Sequence, residues 1–389
     1  MEKRVIRLFL LFFLLILFLV SSNFTVVSTD KNYITDEERD PISSDTEVII
    51  PNVPWHYQIN DYYCGPAALE MIFDYYGPDI SQTEIAEVAR TDQRDGGTYG
   101  FELRRAAHFS DISISKGSVI SGSISGYSKR SIGYAAYENY LRNTTCLKEL
   151  IDDGYPILII TWSSSAKDGR HFRVVVGYTI EGDEITNFII NDPWIGPDYY
   201  MEYDYFVELW TSDSNWSLCV CPWNVNISYP STVPIDTSFL INATIQYPCP
   251  KYYDPAMYPA SLCTATINLP SGFKLTENEN QTKNLNNGAI SAGNMSFCQW
   301  NVSSSLNNNN NNPIKIRLDF CGRVSGTVLP HLIYTPYSYK DYIGQSIIIS
   351  ISIIGGGSIE LILLITGISI GGVASVTGGI LIVRKRKRK

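Results

Sequence analysis

A cysteine, a histidine and an aspartate lie along this chain in settings that suit thiol-based acyl chemistry. Cys64 is followed by Gly-Pro-Ala-Ala-Leu, a pattern that predicts a helix start, and the positive end of a helix dipole lowers the pKa of a thiol. His171 opens a run of β-branched residues, and Asp192 ends the next such run. On two adjacent strands, an imidazole can take the thiol proton while a carboxylate fixes its tautomer. The spacing therefore predicts Cys64 as nucleophile, His171 as base and Asp192 as its orienting partner.

Gln58 extends this set, because it lies six positions before Cys64. A side-chain amide there can donate, together with the Cys64 backbone N–H, to a developing oxyanion. Each residue taken alone has a plainer explanation: a disulfide or small buried residue for Cys64, a surface or capping residue for His171, and a turn residue before proline for Asp192. Their common order and context favours the catalytic interpretation.

The chain contains three further histidines. His56 precedes Gln58 and is expected to line the same cleft. His108 falls inside a helical pattern and is expected to be structural, and His331 lies in the second half of the chain. No histidine or cysteine cluster has metal-ligand spacing, and neither a phosphate loop nor a dinucleotide fingerprint occurs. The sequence therefore predicts no metal and no cofactor.

The elements that must position these residues fall in a predicted first domain, 51–223. Helical patterns come first and runs rich in β-branched residues come after, which favours an α+β arrangement over an alternating α/β one. A Ser81 N-cap with Glu84 three residues later marks one helix start. The predicted helices cover 65–76, 81–90, 101–109 and 146–152, and the predicted strands cover 156–162, 173–178 and 185–191.

A second domain, 224–340, shows short alternating runs separated by Pro, Gly and Asn clusters. This pattern predicts an antiparallel β-sandwich of immunoglobulin-like size. The runs are 238–246, 264–269, 294–302 and 314–320, and the asparagine run 307–312 is predicted to be an exposed loop. Four of the eight cysteines lie here and can form two disulfides whose connectivity stays open: Cys249, Cys263, Cys298 and Cys321.

The two ends of the chain read as targeting segments. A basic start and an apolar run predict a signal peptide, 1–28, and an uncharged apolar stretch predicts a transmembrane helix, 361–383. The basic tail, 384–389, is then cytoplasmic, so the catalytic domain faces outward from a single-pass anchor in the cell membrane. Linkers are predicted at 29–50 and 341–360.

Seven Asn-x-Ser/Thr sequons support the outward placement of a glycosylated protein. They begin at Asn143, Asn215, Asn226, Asn242, Asn280, Asn294 and Asn301.

The composition is that of an ordinary globular protein, with 44% apolar and 18% charged residues. The net charge is −9, and because the last six residues are all basic, the region before them is more acidic still. That acidity argues against a nucleic-acid partner, which would favour a basic surface. The sequence gives no indication of the oligomeric state.

The stretch 51–194 resembles papain-like peptidases typified by the bacteriocin-processing (double-glycine leader) peptidases, in particular their stand-alone relatives. The matching elements are Gln58, Cys64-Gly-Pro-Ala-Ala-Leu, Gly96-Gly-Thr, 147–156, Gly169-Arg-His171-Phe, 174–178 and Asn191-Asp192-Pro193. The resemblance implies the same four roles for Cys64, His171, Asp192 and Gln58. Two departures stand out: Tyr63 occupies a position where an acidic residue often precedes the cysteine, and Arg170 separates Gly169 from His171. The chain has no nucleotide-binding domain, so leader export is not carried over.

The second domain shows a weaker resemblance to bacterial and archaeal cell-surface β-sandwich modules, carried by 239–246, 267–273 and 292–300. Together these features predict a membrane-anchored extracellular cysteine peptidase that hydrolyses peptide or isopeptide bonds of a peptide or protein substrate. Two alternatives stay open. One is an inactive peptidase-like surface binding or adhesion protein, since a fold does not prove activity. The other is a transglutaminase-like acyltransferase, against which the Gln58 spacing and the Cys-Gly-Pro block argue.

Overall fold

A computed structural model describes residues 46–77, 79–110, 113, 127, 133–254, 256–304, 313–330 and 333–354. All of these residues belong to one unit of the chain, Asp45–Lys389. Several predictions fall outside them: the signal peptide 1–28, most of the linker 29–50, the asparagine run 307–312, His331, the transmembrane helix 361–383 and the tail 384–389.

Five α-helices occur in the described residues, and four of them begin within two residues of a predicted start. Local signals explain the agreement: the backbone N–H of Glu84 donates to the Ser81 side chain, as an N-cap requires. The fifth helix was not predicted. The helices are α1 Cys64–Tyr76, α2 Gln82–Val88, α3 Gly100–His108, α4 Thr144–Asp152 and α5 Tyr203–Thr211.

The first seven strands form one antiparallel sheet. Their order is β2-β7-β3-β4-β5-β6, with β1 also pairing with β4. The strands are β1 Thr46–Ile49, β2 Ala135–Tyr140, β3 Ile157–Trp162, β4 Arg170–Glu181, β5 Glu184–Asp192, β6 Gly196–Glu202 and β7 Trp216–Cys221.

Both faces of this sheet are buried. On β4, Val174 and Val176 pack into the same apolar cluster as the buried side chains of α1, α2 and α3. Between them Val175 points the other way, into a cluster with α4, α5 and the second part of the chain. Because successive side chains of a strand alternate between faces, β4 is held from both sides. The middle of β4 is therefore a rigid support for the residues at its start.

The remaining strands form two further sheets. One has the order β12-β15-β10-β8, and the other β13-β11-β16-β17-β9 with β14 beside β11. Trp300 and Phe320, from different sheets, meet in the core between them, with ring centroids 6.4 Å apart. The strands are β8 Asn224–Ser228, β9 Thr232–Pro234, β10 Ser238–Gln246, β11 Ala260–Asn268, β12 Phe273–Leu275, β13 Thr282–Asn284, β14 Ala289–Ile290, β15 Met295–Ser304, β16 Ile314–Val328 and β17 Tyr337–Ile354.

Helix α3 joins the two parts of the chain. Arg105 Nε lies 3.1 Å from Asp341 Oδ2 on β17, and neither side chain is accessible to solvent. The His108 ring packs 5.7 Å from the ring of Tyr339, and the ring nitrogen Nδ1 lies 2.9 Å from its hydroxyl. A backbone bridge between Gly133 and Ile343 lies beside them. The two further sheets, β8–β17, are called the sandwich below. The first sheet and the sandwich therefore share a buried polar contact.

The predicted fold class is corrected in two respects. Strands account for 48% of the described residues and helices for 19%, so the protein is mostly β, not α+β. No helix in the described part of the chain is long and apolar enough to cross a membrane, and the segment predicted to do so lies outside it. The predicted linkers are corrected as well, because 46–49 forms β1 and 341–354 lies within β17.

The predicted disulfides are wrong, because all eight cysteines are unpaired. The register of β11 against β16 explains part of this. Cys321 lies opposite Thr264, whereas Cys263 belongs to the buried face of β11. Cys298 lies in the other sheet, on β15. The register therefore places the Cys263 and Cys321 thiols on opposite faces of their sheet.

Candidate active site

Cys64 is the first residue of α1, where the sequence predicted a helix start. As a first-turn residue, its backbone N–H has no acceptor within the helix. The backbone N–H groups of Gly65 and Phe172 help to lower the pKa of its thiol. Gly65 is closely packed, since a Cβ there would lie 3.1 Å from Leu103 and 3.2 Å from Phe172. The helix start is therefore packed directly against β4.

His171 and Asp192 face each other across the β4–β5 pair. The ring nitrogen Nε2 of His171 lies 2.8 Å from Asp192 Oδ1. The Cys64 thiol lies next to the His171 side chain and interacts with it electrostatically. Because Nε2 is engaged by the carboxylate, the nitrogen that meets the thiol is Nδ1. The Cys64 thiol thus stands beside an imidazole whose nitrogen Nε2 pairs with Asp192.

Asp192 is fully buried and is held by donors on all sides. The backbone N–H groups of Trp194 and Ile195 donate to Oδ1, over 2.8 and 3.1 Å. Arg173 Nε donates to Oδ2 over 2.7 Å. The indole N–H of Trp55 donates to the backbone carbonyl of the same residue over 2.7 Å. Such a set of donors favours the ionised carboxylate despite its burial.

The electrostatics of the three side chains favour an ion pair between thiol and imidazole. Burial alone would raise the pKa of the Cys64 thiol, but the hydrogen bond to His171 and its charge lower it below the usual value. Burial alone would lower the pKa of His171, but its hydrogen bonds to Asp192 and Cys64 raise it. The pKa of Asp192 is likewise lowered, against the effect of its burial, by His171 and Arg173. The arrangement therefore supports a thiolate beside an imidazolium.

Gln58 lies on the segment that runs beside the end of β5. Its backbone N–H donates to the carbonyl of Pro193 over 3.0 Å, and its side-chain amide donates to the carbonyl of Asn60 over 2.7 Å. The Gln82 side chain also makes two hydrogen bonds to this segment, and these are called the Gln82 clasp below. The Gln82 amide donates to the carbonyl of Tyr57 over 2.9 Å and accepts from the N–H of Ile59 over 3.1 Å. The peptide groups on both sides of Gln58 are therefore fixed by one side chain.

A cleft of about 300 Å³ opens at these residues. Three of the four predicted site residues line it, namely Gln58, His171 and Asp192. Cys64 is not among its lining residues, and its half-buried thiol stands next to the imidazole that is. The other lining residues are Asp61, Ser163, Arg170, Arg173, Trp194 and Ile195. The cleft combines charged and large apolar side chains.

Residues 50–218 match the model of the Peptidase_C39 like family. The match supports a cysteine peptidase-like domain in this part of the chain. The matched range contains Gln58, Cys64, His171 and Asp192. No curated protein sequence matches the chain.

Not every residue that the sequence singled out lies in the cleft of the Peptidase_C39-like domain. The expectation that His56 lines it is wrong: His56 Nε2 pairs with Asp74 Oδ2 at 2.7 Å on α1. His108 is buried at the contact with β17, which agrees with a structural role. In the described residues, no group of His, Cys, Asp or Glu side chains is arranged to hold a metal ion.

Sequence reasoning missed two residues that support the site of the Peptidase_C39-like domain, Arg173 and Gln82. A signal for Arg173 was present. It interrupts an apolar run two positions after His171, so it shares the same strand face, and a buried arginine requires a partner. Gln82 gave no such signal, because it lies in the first turn of a short helix, where polar residues are common.

Proposed function

We propose that this protein is a cysteine peptidase that hydrolyses peptide or isopeptide bonds, with Cys64 as its nucleophile. The observation that carries the proposal is the pairing of His171 with the buried Asp192, beside the Cys64 thiol at the start of α1. A cysteine without such neighbours would be weak evidence for a catalytic nucleophile. The opposite pKa shifts of the thiol and the imidazole supply the activation that a thiol nucleophile requires. The family match over 50–218 supports the same reaction class.

The reaction proceeds in two acyl-transfer steps. The Cys64 thiolate attacks the carbonyl carbon of the scissile bond, and the electron pair of the carbonyl moves to its oxygen. When this tetrahedral intermediate collapses, the C–N bond breaks and the His171 imidazolium gives its proton to the leaving amine. His171 then takes a proton from water, which attacks the thioester. Collapse of the second intermediate releases the acid and restores the thiolate.

Gln58 and the start of α1 stabilise the oxyanion of both intermediates in this proposal. The Gln58 amide has two N–H groups, and its bond to Asn60 uses one of them. The backbone N–H of Cys64 has no acceptor within its helix. Donors fixed in advance are worth more than mobile ones, because they need no reorganisation during the reaction. The clasp of Gln82 on both sides of Gln58 supports this role.

The test is substitution of Cys64 by alanine in the purified protein. We expect Cys64→Ala to abolish hydrolysis of a broad peptide library and labelling of position 64 by an electrophilic cysteine-peptidase probe, while the circular dichroism spectrum is retained. The matched control is Cys249→Ser, since Cys249 is solvent-exposed and unpaired. That variant should keep both activities.

The outcomes separate the proposal from its two competitors. Hydrolysis that survives Cys64→Ala would show that the thiol is not the nucleophile. Amine incorporation that outpaces hydrolysis would favour the acyltransferase. A wild-type protein that neither hydrolyses peptides nor labels at Cys64 under reducing conditions would favour the inactive binding module.

An outward-facing position is a further part of the proposal, and the sequons support it. None of the seven sequon asparagines is buried. A chain attached to N-linked glycans must present those asparagines to the solvent, so this exposure is required. A loss of mass when the native protein is treated with a glycan-removing amidase is the expected result. An unchanged mass would show that the sequon asparagines carry no N-linked glycans.

A further inference from the structure

We infer that the cleft selects peptides that carry a large apolar side chain and a basic side chain close to the scissile bond. This inference rests on the proposed function and names the substrate class of that site. Two separate features of the cleft carry it. One is an apolar shelf formed by Tyr57, Trp194 and Ile195, and the other is the carboxylate of Asp61.

The apolar shelf is exposed to an unusual degree for such large side chains. Tyr57, Trp194 and Ile195 are 51%, 50% and 54% exposed. The rings of Tyr57 and Trp194 stack with centroids 5.9 Å apart, and Trp194 and Ile195 both line the cleft. Single exposed apolar residues are common on proteins, but a contiguous group beside a cleft marks a binding surface.

The shelf is tied directly to the reacting residues. Trp194 and Ile195 follow Asp192 in the chain, and their backbone N–H groups both donate to its carboxylate. Tyr57 precedes Gln58, whose own N–H is bonded to Pro193. The backbone that carries the shelf is therefore bonded to the aspartate and to the segment of the candidate oxyanion donor. A side chain resting on the shelf lies beside these residues.

Asp61 supplies the second feature. Four other charged side chains line the cleft, and each has a partner: Arg170 with Asp213 at 2.9 Å, and Arg173 and His171 with Asp192. Asp61 is exposed, and the described residues offer it no ion-pair partner. The cleft therefore presents one uncompensated negative charge. A basic side chain of the substrate complements it.

The experiment measures kcat/KM for a positional-scanning library of internally quenched peptides with the full-length protein. At one position near the cleaved bond, we expect Phe, Trp or Leu to exceed Gly by about 10-fold or more. At another, we expect Lys or Arg to exceed Glu by about 2- to 5-fold at low salt, with the ratio falling as salt is added.

Two substitutions should separate the features. Trp194→Ala is expected to remove the apolar preference and leave the basic one, and Asp61→Asn should do the reverse. Phe297→Ala is the matched control, because Phe297 is 60% exposed on the sandwich. It should change neither preference. Labelling of Cys64 by iodoacetamide reports on the thiol in each variant.

Binding to the Cys64→Ala protein tests the inference without catalysis. Fluorescence anisotropy of a labelled peptide with Phe and Lys, compared with one carrying Gly and Glu, should show the same order of affinity. Equal affinities, together with equal kcat/KM values across the library, would overturn the inference while the proposed function stands. A binding preference without any hydrolysis would support the inference and count against the proposed function.

Discussion

The Asp192 carboxylate decides which nitrogen of His171 meets the thiol. Its Oδ1 accepts from Nε2 of the imidazole and from two backbone N–H groups, and its Oδ2 accepts from Arg173. A neutral imidazole has one donor nitrogen and one acceptor nitrogen. With the donor directed at Asp192, the acceptor Nδ1 is left to take the proton of Cys64. At the scale of single residues, Asp192 therefore sets the direction of proton transfer.

These pKa shifts predict a bell-shaped pH dependence of hydrolysis. The acid limb follows the Cys64 thiol, whose pKa is lowered from 9.0, and the alkaline limb follows His171, whose pKa is raised above 6.5. The two shifts bring the pKa values towards each other, and where the thiol pKa lies below that of His171 the thiolate–imidazolium pair exists between them. Activity then rises through the first pKa and falls through the second. The measurement is kcat/KM against pH, beside the rate of Cys64 alkylation.

The variant Asp192→Asn is the control for this pH prediction. It removes the charge that raises the pKa of His171, so the alkaline limb should move to lower pH. A single inflection near the ordinary thiol pKa in the wild-type alkylation profile would contradict the ion pair. The same shifts affect stability: the contribution of His171 is fully present below 6.5 and is lost as the pH rises through its raised pKa.

At the scale of elements, the site is assembled by one helix, one strand pair and one clasped segment. Helix α1 presents the thiol, and β4 and β5 present the imidazole and the carboxylate. The segment 57–59 has no regular structure of its own, and Gln82 substitutes for a neighbouring strand by bonding a carbonyl and an N–H of it. Gln82 also donates to Glu70 on α1 over 2.8 Å, so the segment is connected to the helix that carries Cys64.

Loss of this clasp should lower kcat more than it changes the reactivity of the Cys64 thiol. For Gln82→Met, which has a similar length and no amide, we expect kcat to fall by about 10-fold or more, because Gln58 is no longer fixed. KM and the alkylation rate of Cys64 should change little. The measurement is steady-state kinetics beside alkylation of the same preparation.

The exposed Gln299 offers a matched control, since Gln299→Met removes an amide far from the cleft. Its kinetics should equal those of the wild-type protein. A parallel fall in alkylation and hydrolysis for Gln82→Met would point to general loosening of the fold, and an unchanged kcat would remove Gln82 from any positioning role.

At the scale of the whole molecule, the Peptidase_C39-like domain and the sandwich share a polar seam. The seam consists of Arg104, Arg105 and His108 from α3 and of Tyr339 and Asp341 from β17. Arg105 and Asp341 are fully buried, and the guanidinium carbons of Arg104 and Arg105 lie over the rings of Tyr258 and Tyr339. Charges buried in this way cannot be solvated, so separating the two parts would expose or strand them.

The seam predicts that the two parts unfold together. Arg105→Met leaves the Asp341 carboxylate buried opposite an apolar side chain, and this should lower the free energy of unfolding by about 3–5 kcal/mol. Urea denaturation can be followed through the accessibility of Cys219 in the first sheet and Cys298 in the sandwich, both buried. Both thiols should become accessible at the same, lowered urea concentration.

The surface pair of Arg317 and Asp319 provides the comparison, because Arg317 is 47% exposed. Arg317→Met should cost no more than about 1 kcal/mol. Two separate transitions for Cys219 and Cys298 in the wild-type protein would contradict coupled unfolding through the seam.

Local patterns allowed part of this architecture to be predicted from sequence. Helix α1 was readable from its apolar spacing and the following Gly77, and strand β10 from its alternation. Other elements carry no such period. All six residues of β7, 216–221, are buried, so its sequence does not alternate, and a short apolar run cannot be assigned by periodicity. Asp341 interrupts the apolar pattern at the start of 341–354, and its burial depends on the distant Arg105.

In the candidate site, too, some residues can be predicted from local sequence and others cannot. Cys64, His171, Asp192 and Gln58 lie beside local signals such as a helix start and strand ends. The roles of Arg173 and Gln82 depend on contacts with residues that no short window of sequence contains. The same holds for Cys263 and Cys321, since the faces that they occupy follow from strand register rather than from cysteine spacing.

The β4–β5 pair also has a consequence for the order in which the site matures. His171 and Asp192 are 21 positions apart on neighbouring strands, whereas Cys64 is 107 positions from His171. Closing a short loop costs less chain entropy than closing a long one, so the imidazole and carboxylate meet through a local hairpin. The thiol arrives only when α1 docks on the sheet. A newly made chain therefore carries an ordinary, weakly reactive cysteine until its folding is complete.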